Sequence, residues 1–315
     1  MMNEPKDPRK TFGEAVMEAA EKNPDIVVLS ADSSSGSGLG DFPKKFPGRH
    51  FEFGIMEQGV TGFACGLATT GKIPVFAAIA PFVTARNFEM FRNDLGYMKQ
   101  NVKVVGRCAG LTYDQLGFTH HSIDDVAIIR TIPGVTIINP GDPVTIRKAV
   151  HAMIKHTGPC YLKIGSPKMP VLYPEDVEFT LGKGIVLKEG HDVTLIGTGT
   201  VLSKAVAAAQ LLEESGVSVR LIDMHTIKPL DKELILKAAR ETGMIVTIEE
   251  HFIAGGLGSA VAEICSQEYP VKMKMIGIGD HFPSNGPYEE LLRQHGLQPD
   301  QIKETVIHFL KGQVL

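Results

Sequence analysis

The sequence predicts an α/β protein of two domains, each a mainly parallel sheet flanked by helices. Three observations carry this reading. Short β-branched runs alternate with longer helix-periodic segments, the alternation pauses over the proline-bearing residues 165–184, and it then resumes with the same rhythm. A chain of 315 residues also exceeds the usual size of one domain.

In chain order, the first half holds apolar runs IVVLSA (26–31), IPVFAAIA (73–80), VKVVGRC (102–108), VTIIN (135–139) and CYLKI (160–164), expected as strands buried on both faces. Helices are expected between them over 11–22, 57–70, 84–99, 122–130 and 143–156. Over 84–99, Phe88, Phe91, Leu95 and Met98 recur at helical spacing, the pattern of a core-facing stripe. Three prolines and no sustained period make 165–184 a connecting segment with room for one edge strand. Beyond it, DVTLIGTG (192–199), VSVRLIDM (217–224), MIVTIEE (244–250) and KMKMIGIG (272–279) read as strands, with helices near 201–215, 231–241 and 258–268. The expected division is therefore a first domain over 1–170, a linker over 171–184 and a second domain over 185–315.

Composition excludes several classes. The chain is 43% hydrophobic and 22% charged with a net charge of −4, so nothing marks a nucleic-acid surface. Its longest apolar run, PVFAAIAPFV, is too short to span a bilayer, and the first ten residues hold no apolar signal core, so a cytoplasmic location and no membrane partner are expected. The four cysteines, Cys65, Cys108, Cys160 and Cys265, stand among apolar residues without metal-ligand spacing; reduced thiols and no metal site within the chain are expected.

Two glycine-bearing turns offer a nucleotide-binding reading. LIGTGTVLSKAV follows a strand, opens a helix and has Asp223 at the end of the next strand, the layout of a dinucleotide unit, but Leu202 stands where a third small residue is needed. GGLGSA (255–260) is a second such turn. No phosphate-binding loop of the GxxxxGK[ST] type is present.

The segment FEFGIMEQGVTGFACGLATTGKIPVFAAIAPFVTARNFEMFRND poses a different question, because Glu57 interrupts small and apolar residues, where an unpaired acid is costly. This segment resembles the pyrimidine-binding domain shared by transketolases, 1-deoxyxylulose-5-phosphate synthases and the β chains of 2-oxo acid dehydrogenases. MHTIKPLD, EEH and GGLGSAV resemble their C-terminal domain, and the likeness covers nearly the whole chain in the correct order. It is most like the C-terminal chain of two-subunit transketolases.

The resemblance implies thiamine diphosphate as cofactor, with Glu57 as the carboxyl that hydrogen-bonds the aminopyrimidine and so promotes the tautomer that serves as internal base. It implies Phe82 as the apolar wall against that ring. Phe88 is either a second wall or core. Asp32 matches a family Asp near the cofactor, or serves only its turn. His120, within GLTYDQLGFTHHSIDDVA, aligns with an active-site histidine that moves protons at the reacting carbon, and of the adjacent pair His120 is expected to point inward. Arg9 matches an arginine near the substrate entrance, or is a solvated surface residue.

Departures from the family pattern bear on the substrate. Leu116 and Phe118 replace an Asp and a small residue, Ser166 replaces an arginine that grips phosphate, and Cys108 stands where a phosphate-binding His would fall. Such losses weaken phosphate binding, so either the sugar differs or other groups, with Arg9, Lys163 and Lys168 as candidates, take over. His225 and His251 are expected to be structural.

The chain also lacks the GDG motif, followed about 30 residues later by Asn, with which thiamine enzymes hold Mg²⁺ and diphosphate. The resemblance thus implies a separate diphosphate-binding chain that holds Mg²⁺, an N-terminal transketolase subunit, in an α2β2 heterotetramer built around a homodimer of this chain. The implied reaction of carbohydrate metabolism is two-carbon ketol transfer from a ketose or ketose phosphate to an aldose. Decarboxylation of a 2-oxo acid by the same apparatus, and NAD binding, are the alternatives.

Overall fold

The computed structural model describes residues 4–312. Among the described residues twelve strands form: β1 (Ile26–Ser30), β2 (His50–Glu52), β3 (Ile73–Ile79), β4 (Lys103–Arg107), β5 (Thr136–Ile138), β6 (Cys160–Lys163), β7 (Ile185–Lys188), β8 (Val193–Gly197), β9 (Val219–Asp223), β10 (Thr226–Lys228), β11 (Met244–Phe252) and β12 (Lys272–Ile278). They make a seven-stranded sheet, order β10-β5-β6-β4-β3-β1-β2, and a five-stranded sheet, order β12-β11-β8-β9-β7. Pairing is parallel throughout except at β10, which lies antiparallel to β5, and at β7, antiparallel to β9.

The continuous apolar runs follow from this architecture. In β1, Ile26 and Val28 pack with Phe12 and Val16 of the helix Pro8–Lys22, while Val27 and Leu29 pack with Val60, Ala64 and Phe91 on the opposite face. Both faces are covered, so no polar alternation is needed. The second of these clusters continues through Ile196, Ile222 and Ile245 of the second sheet, so the two halves share a core.

Four features depart from the sequence reading. Strand β10 comes from the second half yet completes the edge of the first sheet, held where the Asn139 amide donates to the His225 carbonyl at 2.8 Å. The single helix expected over 84–99 is broken: a turn at Ala80–Val83 closes on Thr84, whose hydroxyl donates back to the Ala80 carbonyl, and after Phe88–Met90 the chain widens into a π-helix over Phe91–Tyr97. The connecting segment carries no strand before β7 and is tied instead by the Lys6–Met169 bridge. Two C-terminal helices, Tyr288–Gln294 and Pro299–Leu310, pack on the second sheet through Leu291, Leu292, Ile302 and Val306. Among the described residues no helix is long and apolar enough to cross a membrane.

The NAD-like turn is filled from within. At Gly199, φ is +62° and a Cβ would stand 2.4 Å from the Asn139 side chain, while Asp223 is buried and accepts the Tyr173 hydroxyl at 2.8 Å. Tertiary packing therefore uses the groups a dinucleotide would need.

Candidate active site

Glu57 opens the helix Glu57–Thr69 just after β2, and its carboxylate is only 5% exposed. Both of its oxygens lie 3.3 Å from one Arg86 nitrogen, whose side chain is about half exposed at 47%. The guanidinium also stands 3.9 Å above the Phe82 ring. Phe82 lies in the turn after β3, half-buried, with the His120 ring edge-on to it at 5.3 Å. The Tyr113 ring also stands edge-on to His120, at 5.5 Å and 89°. Glu57, Arg86, Phe82, His120 and Tyr113 thus form one cluster along the carboxyl ends of parallel strands, the end where open α/β sheets receive ligands.

The cluster fits a flat, nitrogen-bearing ring. Arg86 already places a planar N–H donor between a buried carboxylate and an aromatic face, which is the chemistry an aminopyrimidine presents. Sequence reasoning missed Arg86, because its place over Phe82 depends on the broken helix after β3. The adjacent Glu57 offered the one available signal, since a buried acid predicts a nearby cation.

The paired histidines are placed opposite to expectation. His121 is the inward residue, 3% exposed with neither ring nitrogen hydrogen-bonded, and burial lowers its pKa. His120 is half-buried on the open face, its Nδ1 3.0 Å from the Thr119 hydroxyl. Partial burial first, and the Arg86 charge second, lower its pKa, favouring a neutral imidazole. The reversal follows from the turn at Gly117 and the antiparallel bridge from Gly110 to Ser122, which roll residue 121 beneath the loop.

The remaining candidates divide. Asp32 is exposed at φ +53°, and its amide donates to the Glu52 carboxylate at 2.7 Å, so its backbone shapes the turn after β1. Phe88 is half-buried against the core, with Arg92 6.0 Å from its ring, and makes no ring pair with Phe82 or His120. Arg9 is half-buried and gripped by Asp7 through contacts of 3.1 and 2.8 Å, beside a cavity of about 450 Å³. Ser166 is half-buried beyond β6. Lys168 is exposed on a different hollow with Asp7, Glu14 and Glu175. Lys163, a candidate for substrate, is instead buried and paired with Asp125 at 2.7 Å.

That pair anchors a polar seam between the two halves. Asp125 also accepts the Tyr161 hydroxyl at 2.6 Å. His251 accepts the Ala127 amide on Nε2 and donates from Nδ1 to the Phe252 carbonyl, a pattern that demands the neutral ring; burial lowers its pKa to about 4. Glu249 accepts the Leu257 and Gly258 amides at 2.7 Å, and burial pushes it to about 7 against those two bonds. Glu250 receives Leu111, Thr200 and Tyr288, tying the start of the His120 loop to the second half. Among the described residues no cluster of His, Cys, Asp and Glu is arranged to hold a metal.

Comparison with known proteins agrees with this fold. Residues 4–170 match the transketolase pyrimidine-binding domain, and residues 182–302 match the transketolase C-terminal domain. The chain is 40% identical to a subunit of the apulose-4-phosphate transketolase of Phocaeicola vulgatus, covering 96% of this chain and 97% of that one. It is 36% identical to a 6-deoxy-6-sulfo-D-fructose transketolase subunit of a Clostridium species, over 93% and 91% of the two chains. A solved split-gene transketolase, an inactive β4 tetramer, superimposes with a TM-score of 0.89 at 40% identity, over 98% of this chain and 99% of that one.

The chain belongs to the transketolase family. Within that family it is the C-terminal subunit of a two-chain transketolase, an enzyme subunit that works with a partner chain.

Proposed function

We propose that this chain supplies the pyrimidine half of a thiamine diphosphate site, and that with an N-terminal partner holding Mg²⁺ and diphosphate it transfers a two-carbon ketol unit from a ketose to an aldose. When bound, the cofactor supplies the nucleophilic carbon on which the ketol unit is carried. The observation that carries this reading is Glu57, buried beside Phe82 with only a half-exposed Arg86 against it.

Glu57 holds and shares a proton with the pyrimidine, and Phe82 orients the ring by its face. His120, kept neutral by burial and by Arg86, donates to and accepts from the substrate oxygen at the reacting carbon. Arg9 and Ser166 lie on the substrate side, and Asp32 shapes the loop beside the cofactor. The assembly is an α2β2 heterotetramer around a dimer of this chain, working in the cytoplasm. Relatives named for apulose-4-phosphate and for a sulfonated fructose recommend those two sugar classes as first donors.

Calorimetric titration of thiamine diphosphate with Mg²⁺ tests the reading directly. Binding is expected only when the chain is mixed with its diphosphate-binding partner, together with ketol transfer from a ketose donor. Tight binding to the chain alone would overturn the shared-site reading, and product formation from pyruvate but not from ketoses would replace ketol transfer by decarboxylation.

A further inference from the structure

The loop that carries His120 closes at a neck, where the Gly110 and Ser122 amides each donate to the other's carbonyl at 2.9 Å. Within that neck, among the described residues, every hydrogen bond that residues 111–121 make outside their own loop goes to the second half of the chain. The Leu111 amide donates to the Glu250 carboxylate at 2.5 Å. The Tyr288 amide donates to the Asp114 carboxylate at 3.1 Å, and the Gly286 amide to the Asp114 carbonyl at 3.4 Å. Both ties meet at Tyr288, because its hydroxyl donates to Glu250 at 2.8 Å.

A further contact is apolar. Phe282 is 73% exposed, yet its ring centroid lies 4.1 Å from that of Phe118, two residues before His120. Between these ties stands Gly117, buried at φ +69°, where a Cβ would come within 3.4 Å of Asn285. The Gly117 carbonyl accepts the His120 and His121 amides at 2.9 and 3.1 Å, so the turn that sets the His120 backbone is backed by the second half. The first half meets the His120 ring edge-on through Phe82, without a hydrogen bond to hold it.

We propose that residues 282–288 form a clasp that positions His120, with Phe282 and Asp114 as the positioning residues. The inference rests on the ketol-transfer reading and deepens it. A group that moves protons must be held within about 0.5 Å of its productive place, and here the hold comes from the second half of the chain, not from the half that bears Glu57 and Phe82. The clasp also accounts for Phe118, which stands where the family pattern has a small residue, as the packing partner of Phe282.

Phe282 is mostly exposed, so Phe282→Ser removes the ring without opening the core. In the reconstituted complex, with the partner chain in excess, Phe282→Ser and Asp114→Ala are each expected to lower kcat about ten- to hundredfold while KM for the ketose donor stays within about threefold. Both should also speed hydrogen–deuterium exchange at residues 111–121 and leave that of the strands unchanged. Phe282→Leu, which keeps an apolar contact with Phe118, should recover most of the lost kcat. Unchanged exchange overturns the clasp, and so does a loss that more partner chain restores, which would assign Phe282 to the subunit contact. Faster exchange with unchanged kcat, in an enzyme where His120→Gln lowers kcat, overturns the positioning role. If His120→Gln leaves kcat unchanged, or wild type transfers no ketol, the functional reading fails instead. Exchange in the full chain alone then decides the clasp: faster exchange at residues 111–121 of Phe282→Ser upholds it, and equal exchange overturns it.

Discussion

Two buried carboxylates, Glu57 and Asp125, meet their cations in opposite ways. Asp125 is fully buried, and Lys163, 6% exposed, closes on it at 2.7 Å with Tyr161 filling the second oxygen. Glu57 is almost as buried, yet Arg86 reaches it only at 3.3 Å and remains 47% exposed. The apolar surface near Glu57 is open as well, with Ile55, Met56 and Phe63 exposed. A polar group that its own chain completes holds the fold, whereas one left half-completed beside exposed apolar side chains awaits a ligand or a partner.

The largest break in this comparison is expected at Glu57. In the reconstituted complex Glu57→Gln should lower kcat by about 10² to 10⁴-fold, the range for a general acid or base, while the urea midpoint of the isolated chain stays within error of wild type. Unchanged activity would make Glu57 structural like Asp125.

At the closed pair the signs reverse. Lys163→Met leaves Asp125 buried without its cation and should cost about 3 to 5 kcal/mol of stability, read by urea unfolding of the chain. A loss below about 1 kcal/mol would show that the Tyr161 hydroxyl and the Val126 amide suffice for Asp125.

The seam also sharpens the comparison through pH. His251 has a folded pKa of about 4, below the ordinary 6.5, so its site in the unfolded chain binds a proton that the folded chain refuses, and this contribution to stability is lost as pH falls from 6.5 to 4. Glu249, raised to about 7 from 4.5, acts with the opposite sign: its contribution is lost as pH rises from 4.5 to 7. The two nearly cancel between pH 4.5 and 6.5. Replacing His251 with Gln removes the first effect only, so the deficit of His251→Gln against wild type should shrink by about 2 kcal/mol between about pH 7 and about pH 5. Unfolding curves of both proteins at the two pH values check this, and a constant deficit would mean that His251 is not held neutral.

The smallest effect is expected at Arg86. Arg86→Met removes a half-exposed pair and should cost no more than about 1 kcal/mol in thermal or urea unfolding, against several at Lys163. A loss as large as that at Lys163 would place both pairs in one class.

Much of this is legible in the sequence. The alternation of apolar runs and helical periods marks nine of the twelve strands, all but β2, β7 and β10, because burial on both faces leaves an uninterrupted β-branched signature, as in Ile26–Leu29. The missed strands are sheet edges that are not buried along their whole length, unlike the equally short β5 and β6, so no uninterrupted apolar signature marks them. Glu57 and Phe82 stand out because a lone acid and a ring among small residues break a local pattern. Phe88 shares its spacing with Phe91 and Leu95, and only packing leaves it half-buried against the core while they are fully buried; Lys163 reads as a free cation until Asp125, 38 residues away, is brought beside it.

The sequence by itself determined the α/β class, the family and the acid on which the site turns, since these rest on periodicity and on local motifs. Tertiary structure alone decided that Arg86 lies over Phe82, that His121 rather than His120 turns inward, and that Phe282 lies against Phe118. Each of these is set by what approaches from distant segments, such as residues 282–288 against the loop of His120. Burial and pairing are properties of that packing, and no short stretch of chain encodes them.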